Sequence, residues 1–192
     1  MKRLTMGFLG LLLAGSAFLA RGAEPAAAPA AGFRAEVIAE VDSVGKKLVD
    51  LAGAVPAEKF GWRPAPGVRS VSEVYVHVAG GDFMLPSFMG VKIPEGVTRD
   101  MEKTVTEKAK VIDTLKKSLD HVKSVAANMS DADLDKKVKI FGGREVTERA
   151  LLTIIVNHMH EHLGQSIAYA RMNGVTPPWS EGEAPPKPAA KS

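Results

Sequence analysis

Apolar residues recur at three- and four-residue intervals in four separate stretches of the chain. Phe33, Val37, Val41, Val44, Leu48 and Leu51 form one stripe and predict a first helix over about 33–54. Residues 55–67 carry Pro56, Gly61, Pro64, Pro66 and Gly67, which exclude a continuous helix and predict a structured connection anchored by Phe60 and Trp62. A second helix opens at Ser70-Val71-Ser72-Glu73, a capping box whose hydroxyl and carboxylate satisfy backbone donors at the helix start. It carries His77, and Ser70, Val74, Gly81 and Met84 share that face within about 60°. Gly80 and Gly81 leave room beside the imidazole for a close neighbour, and Pro86 ends or kinks the helix. Residues 87–97, with Gly90, Pro94 and Gly96, are long enough to cross the end of a bundle. A third helix is expected over 99–128, with Met101, Val105, Ile112, Leu115, Leu119 and Val122 near a heptad pattern, and His121 among charged neighbours reads as solvated. Residues 130–146 read as a turn or small hairpin around Gly142-Gly143. Thr147 caps a fourth helix that runs to Asn173 and stops at Gly174, ahead of Pro177-Pro178.

Four amphipathic helices without a strong strand pattern predict an all-α fold, a four-helix bundle with a long connection between helices two and three. The bundle should occupy 32–176, enough chain for one domain with one core. Residues 1–22 read as a secretory signal: Lys2 and Arg3 precede an uncharged run from Leu4 to Ala20, and Ala20 and Gly22 can frame a cleavage site. The run is short for a spanning helix and diluted by glycine, so no stable membrane anchor is expected after cleavage. The expected location is therefore periplasmic or secreted. Residues 23–31 read as an Ala/Pro linker and 177–192 as a disordered tail. The chain has no cysteine, which excludes disulfides, thiolate ligands and cysteine nucleophiles.

Charge changes the picture only once the leader is set aside. The chain has 25 basic and 22 acidic residues; Lys2, Arg3 and Arg21 belong to the leader, leaving 22 against 22. A neutral domain gives no argument for nucleic-acid binding, and no nucleic-acid motif, phosphate-binding glycine loop or nucleophilic triad is present. The chemistry concentrates in Asn157-His158-Met159-His160-Glu161-His162-Leu163-Gly164-Gln165, which holds three of the five histidines. At about 100° per residue, His158 and His162 lie about 40° apart while His160 points roughly the opposite way. Leu151, Ile154, Ile155, Gln165 and Tyr169 lie within about 60° of His158, so the two histidines interrupt a stripe that should be buried. Buried imidazoles need partners. Two of them one turn apart can reach a single divalent cation, which then needs a third protein ligand from elsewhere and can keep a position for water. HxxxH alone is a weak signal. The same residues also fit the inverted zincin pattern H-x-x-E-H, but that chemistry needs a further acidic ligand well downstream, where only Glu181 and Glu183 stand in the Pro/Ala tail.

Phe60-Gly61-Trp62-Arg63-Pro64 with Pro66-Gly67, then Arg69-Ser70-Val71 leading to His77, and His158 to Gln165 with Arg171 and Gly174, together resemble the DinB family of metalloenzymes. The resemblance spans about 33–174. It implies a four-helix bundle with an unusual order of helix directions and a divalent metal, zinc or nickel, held by His77, His158 and His162. Gln165 matches the family's Gly-Gln pair and, one turn beyond the histidines, suits a hydrogen bond to a ligand. The chain departs from many members at Glu161 and Leu163, where a histidine and an arginine are common. The expected function is a metal-dependent hydrolase of a small molecule whose identity the sequence leaves open, with Glu161 or Tyr169 as proton-transfer groups. Two alternatives stand beside it. One is a non-catalytic metal-binding or structural bundle; the other is a thiol-dependent transferase or isomerase like some relatives, which export disfavours because such thiols are chiefly cytosolic. Homodimer formation is left open.

Overall fold

Side-chain caps set where two of the described helices begin. In the computed structural model, which describes residues 30–180 and 182, α1 spans Gly32–Ala54 and buries Val37, Val41, Val44, Leu48 and Leu51. The helix α2 spans Val71–Met84 and opens with the capping box: the Glu73 amide donates to Ser70 Oγ at 3.3 Å, and the Ser70 amide to Glu73 Oε2 at 2.7 Å. A single turn, α3, follows at Met101–Thr104, then α4 at Lys108–Asn128 and α5 at Glu148–Met172. Thr147 Oγ1 accepts from the Ala150 amide at 3.1 Å and caps α5. At the other end Gly174, with φ of 75°, lets the Val175 amide return to the Ala170 carbonyl at 2.9 Å. Between α4 and α5, β1 (Lys137–Lys139) and β2 (Glu145–Thr147) form an antiparallel hairpin with Val138 opposite Val146, turning through the glycines at 142 and 143.

The fold is an all-α bundle of four long helices. α1 and α2 each pack against both α4 and α5, so α1 stands across the bundle from α2 and α4 from α5, while the successive helices α2 and α4 are neighbours. The first two connections both do structural work. In the first, Phe60 is buried and stacks on Tyr75, and Trp62 meets Tyr169 edge-on at 5.4 Å. Its backbone is tied to the start of α2 by the Val71 amide donating to the Trp62 carbonyl and the Ser72 amide to Phe60. The second, from α2 to α4, lies against α2 and places α3 beside it.

Three expectations are corrected. The third helix does not run continuously from 99 to 128: Val105 leaves helical geometry at φ −99°, ψ 88°, and Glu107 is extended. Thr104, Val105 and Thr106 are β-branched and restricted at χ1, which weakens helix propagation there. The break turns Met101 into the core. His121 is not solvated: it is partly buried, its ring lies 5.7 Å from that of Phe83, and its Nε2 is buried without a hydrogen-bond partner. Burial pushes its pKa below the ordinary value. Its charged sequence neighbours were a poor guide because α2 covers that side of α4. The tail expected from 177 instead begins with a 3₁₀ turn at Pro178–Ser180 packed on α1, with Lys47 over the Trp179 ring. The signal read over 1–22, nearly all of the linker and most of the tail beyond 180 lie outside the described residues.

Candidate metal centre

α2 and α5 pack side by side, and their contact brings together the histidines each carries. One ring nitrogen from each of His77, His158 and His162 falls within a set whose members all lie within 4.8 Å of one another. The ring pairs are 4.6 to 5.0 Å apart and close to edge-on. Gly81 makes this approach possible. A Cβ there would stand 2.5 Å from His158 Cε1 and 2.9 Å from its Nδ1, so only a residue without a side chain lets the imidazole sit against α2.

The partners of each ring set its tautomer. His77 Nδ1 lies 2.6 Å from Glu102 Oε1, and His162 Nδ1 lies 2.8 Å from Gln165 Oε1. Ionised carboxylate and amide oxygens only accept, so both Nδ1 atoms carry the hydrogen and donate it. That leaves lone pairs on both Nε2 atoms. The Gln165 oxygen is oriented by its own amide, which donates to Tyr169 Oη at 3.0 Å. His158 differs: its Nε2 lies 3.2 Å from His77 Nε2, and its Nδ1 is buried without a partner. The Nε2 pair is satisfied either by a proton on His158 or by a cation that both atoms face. For a tetrahedral zinc with Zn–N near 2.0–2.1 Å, ligand nitrogens stand about 3.3 Å apart, which matches this separation. The donor set therefore fits a divalent metal with a preference for imidazole, with acceptors behind two of the three rings in the manner of metal-ligating histidines.

Electrostatics favour the ligating form. Burial, with the adjoining His162 and His77 adding to it, pushes His158 down to about 4. Burial also lowers His77, outweighing the opposing pull of Glu102. Burial disfavours the charged form of Glu102 too, yet hydrogen bonds from Arg69 and His77 overcome it and hold the carboxyl below its usual range. Near neutral pH His77 and His158 thus present uncharged imidazoles beside an ionised carboxylate. Arg69 Nε donates to Glu102 Oε2 at 2.7 Å and fixes that carboxylate from its far side.

A cavity of about 630 Å³ opens beside His77 and His158, with walls that include Met84, Phe88, Ile93 and Ile154. The other residues picked from the sequence fall outside the cluster or reach it indirectly. Glu161 is exposed, with no hydrogen bond or ion pair to the histidines among the described residues. His160 points to α1, 3.7 Å from Glu40. Tyr169 is buried and is linked to the cluster through Gln165. Glu102 and Arg69 were missed as site residues. An unbroken third helix gave no reason to bring 102 to 77, and the only available signal was the β-branched run that ends α3.

A family model of the DinB superfamily matches residues 40–166, a span that contains all three histidines, Glu102 and Gln165. The chain belongs to the DinB superfamily. Solved structures agree on the fold. A DinB-like protein from Bacillus cereus superposes with a TM-score of 0.61 at 23% identity, over 76% of this chain and 93% of that one. A DinB-like protein from Bacillus subtilis gives 0.59 at 20% identity, over 73% and 93%. A conserved protein from Enterococcus faecalis gives 0.57 at 16%, over 71% and 94%. No curated protein matches. The DinB resemblance seen in the motifs is thus borne out for family and fold, and the histidine cluster of this DinB chain could hold a metal ion.

Proposed function

We propose that this DinB-superfamily chain is an exported metal-dependent hydrolase of a small molecule, with His77, His158 and His162 holding a divalent zinc or nickel ion. The observation that carries the reading is the pairing of a preset donor cluster with an open cavity. Two rings are locked with an unprotonated Nε2, and the cavity gives a substrate access to His77 and His158. A closed structural site would have a fourth protein ligand; among the described residues no other histidine or acid joins the cluster. When bound, the metal would polarise a substrate oxygen and lower the pKa of a water. The protein's own part is to keep Nδ1 protonated on His77 through Glu102 and on His162 through Gln165, and to shield the reacting group with apolar walls. Glu161 and Tyr169 remain candidates for proton transfer. Export rests on the leader pattern in residues 1–22.

A second reading draws on the 3.2 Å contact between His77 and His158, which closes as an ordinary hydrogen bond and needs no ion. Elemental analysis of the mature protein, purified without chelator or metal resin, separates the two. About one equivalent of metal in the wild type, lost in His162→Ala, supports the metal site. Screening esters, amides and lactones with the loaded protein then tests hydrolysis. Protein that stays empty after incubation with zinc and nickel sinks the hydrolase reading and leaves a hydrogen-bonded structural cluster.

A further inference from the structure

Two cavities of opposite character adjoin the histidine cluster, one lined by His77 and His158 themselves and the other by Glu102 and Gln165, which bond His77 and His162. The first, described above, is mainly apolar. The second, of about 660 Å³, is lined by Arg63, Arg69, Arg99 and Lys103 against only two acids, Glu73 and Glu102. Arg99 and Glu102 line both, so the cavities meet at α3 and the residues just before it. Gln165, which holds His162, lines the basic one.

The two acids are already engaged. Arg63 bonds Glu73 at 3.1 Å and the Val68 carbonyl at 2.6 Å. Arg69 bonds Glu102 at 2.7 Å and, through its other nitrogen, at 3.4 Å. Arg99 and Lys103 are exposed and have no acidic partner among the described residues. The basic cavity therefore carries two uncompensated positive charges where it joins the apolar one. A cation is repelled there, a neutral apolar molecule leaves the charges unused, and a small hydrophilic anion leaves the apolar walls wet.

We propose that the chain binds an elongated small molecule with an apolar body and one anionic oxyacid end, the body over His77 and His158 and the anion against Arg99 and Lys103. A guanidinium and an ammonium on adjoining turns suit a carboxylate or a phosphate. The inference deepens the hydrolase reading, because such a ligand would lay the bond next to its apolar body across the histidines; the binding itself does not need the metal.

Calorimetric titration of the full chain, zinc-incubated and chelator-treated, with octanoate, octyl phosphate, octanol, octylammonium and acetate tests it. Octanoate or octyl phosphate should bind at least about tenfold more tightly than octanol, octylammonium and acetate in chelator-treated protein. Whichever of the two is tighter identifies the oxyacid. The double variant R99Q/K103Q, changed at exposed positions, should lose that advantage and bind the anion no better than octanol, with octanol itself unaffected. Equal affinity for octanol and both anions in the wild type overturns the proposal, as does an anion preference that survives R99Q/K103Q. Zinc uptake without anion binding removes this inference and leaves the metal reading; anion binding without zinc uptake does the reverse.

Discussion

α2 carries a half-buried histidine and, five residues on, a fully buried aspartate, and the protein treats them in opposite ways. His77 faces α5, has both ring nitrogens within hydrogen-bonding distance of partners, and borders a cavity. Asp82 faces α4, is fully buried, and borders none of the described cavities. Its Oδ2 lies 2.9 Å from Ser118 Oγ, and its Oδ1 has no partner. Ser118 Oγ, which has one hydrogen to donate, also lies 2.8 Å from the Leu115 carbonyl oxygen. Both contacts are satisfied together if Asp82 is protonated and donates to Ser118, which agrees with burial pushing its pKa well above the ordinary value. A polar group that is sealed turns neutral and is a liability to stability. One that is supplied with acceptors and left an opening becomes a site.

The sharpest way to break that contrast is to take away the space that admits His158. Gly81→Ala puts a methyl where the imidazole stands, so the ring must leave the cluster. Zinc affinity should fall by about a hundredfold or more, close to the loss of a ligand, while helicity is kept since alanine favours a helix. Competition titration against a zinc-binding dye reads this; undiminished affinity would mean His158 is not a ligand.

How far the sequence carried the site follows the same line. Helical periodicity was enough to pair His158 with His162 and to turn His160 away, and the glycines beside His77 did mark a close approach. The capping box, the Thr147 cap and the Gly174 stop are local chemistry, and the structure places each where the residues require. Glu102, Arg69 and Asp82 were not legible. Each matters through a contact between elements far apart in sequence, and Glu102 depends on a helix break caused by three β-branched residues inside an otherwise helical pattern. His121 failed for a related reason: neighbours along the chain say little about what another helix lays over a residue.

The sealed half can be tested by pH. With its folded pKa raised, native Asp82 keeps a proton that the unfolded chain gives up above about 3.9, so its contribution to stability declines as pH rises above that value. Asp82→Asn removes the decline and should stabilise the fold by about 2 kcal/mol at pH 8 and less at pH 5. Urea melts at the two pH values check this, and a variant less stable than wild type at pH 8 would show that Asp82 is ionised and held. The histidine half has the opposite slope. His158, lowered to about 4, stays neutral in the native protein while the unfolded chain takes up a proton near 6.5. Chelator-treated protein should therefore lose stability as pH falls from about 6.5 to about 4, a limb that His158→Gln flattens.

Smaller effects come from the groups behind the ligands. Glu102→Gln exchanges an ionised acceptor for a neutral one and uncouples Arg69, and Gln165→Leu removes the acceptor for His162 Nδ1. Each should weaken zinc binding by about tenfold to a hundredfold, with Glu102→Gln the larger because a charged acceptor is lost. Stability of the metal-free fold should move less than metal affinity, which distinguishes ligand positioning from general destabilisation.

The smallest expected effect falls on the histidine that shares the motif but not the site. His160 sits two residues from both His158 and His162, yet its side chain is 48% exposed and its ion-pair partner, Glu40, is 61% exposed and 3.7 Å away. An ion pair so open to water contributes little, so His160→Ala should change unfolding free energy by at most about 0.5 kcal/mol and leave zinc affinity within about twofold. The result bears on the comparison directly. If His160→Ala matched His162→Ala in its effect on metal, then density of histidine along the chain, and not the face that α5 turns toward His77, would be what gathers the ion.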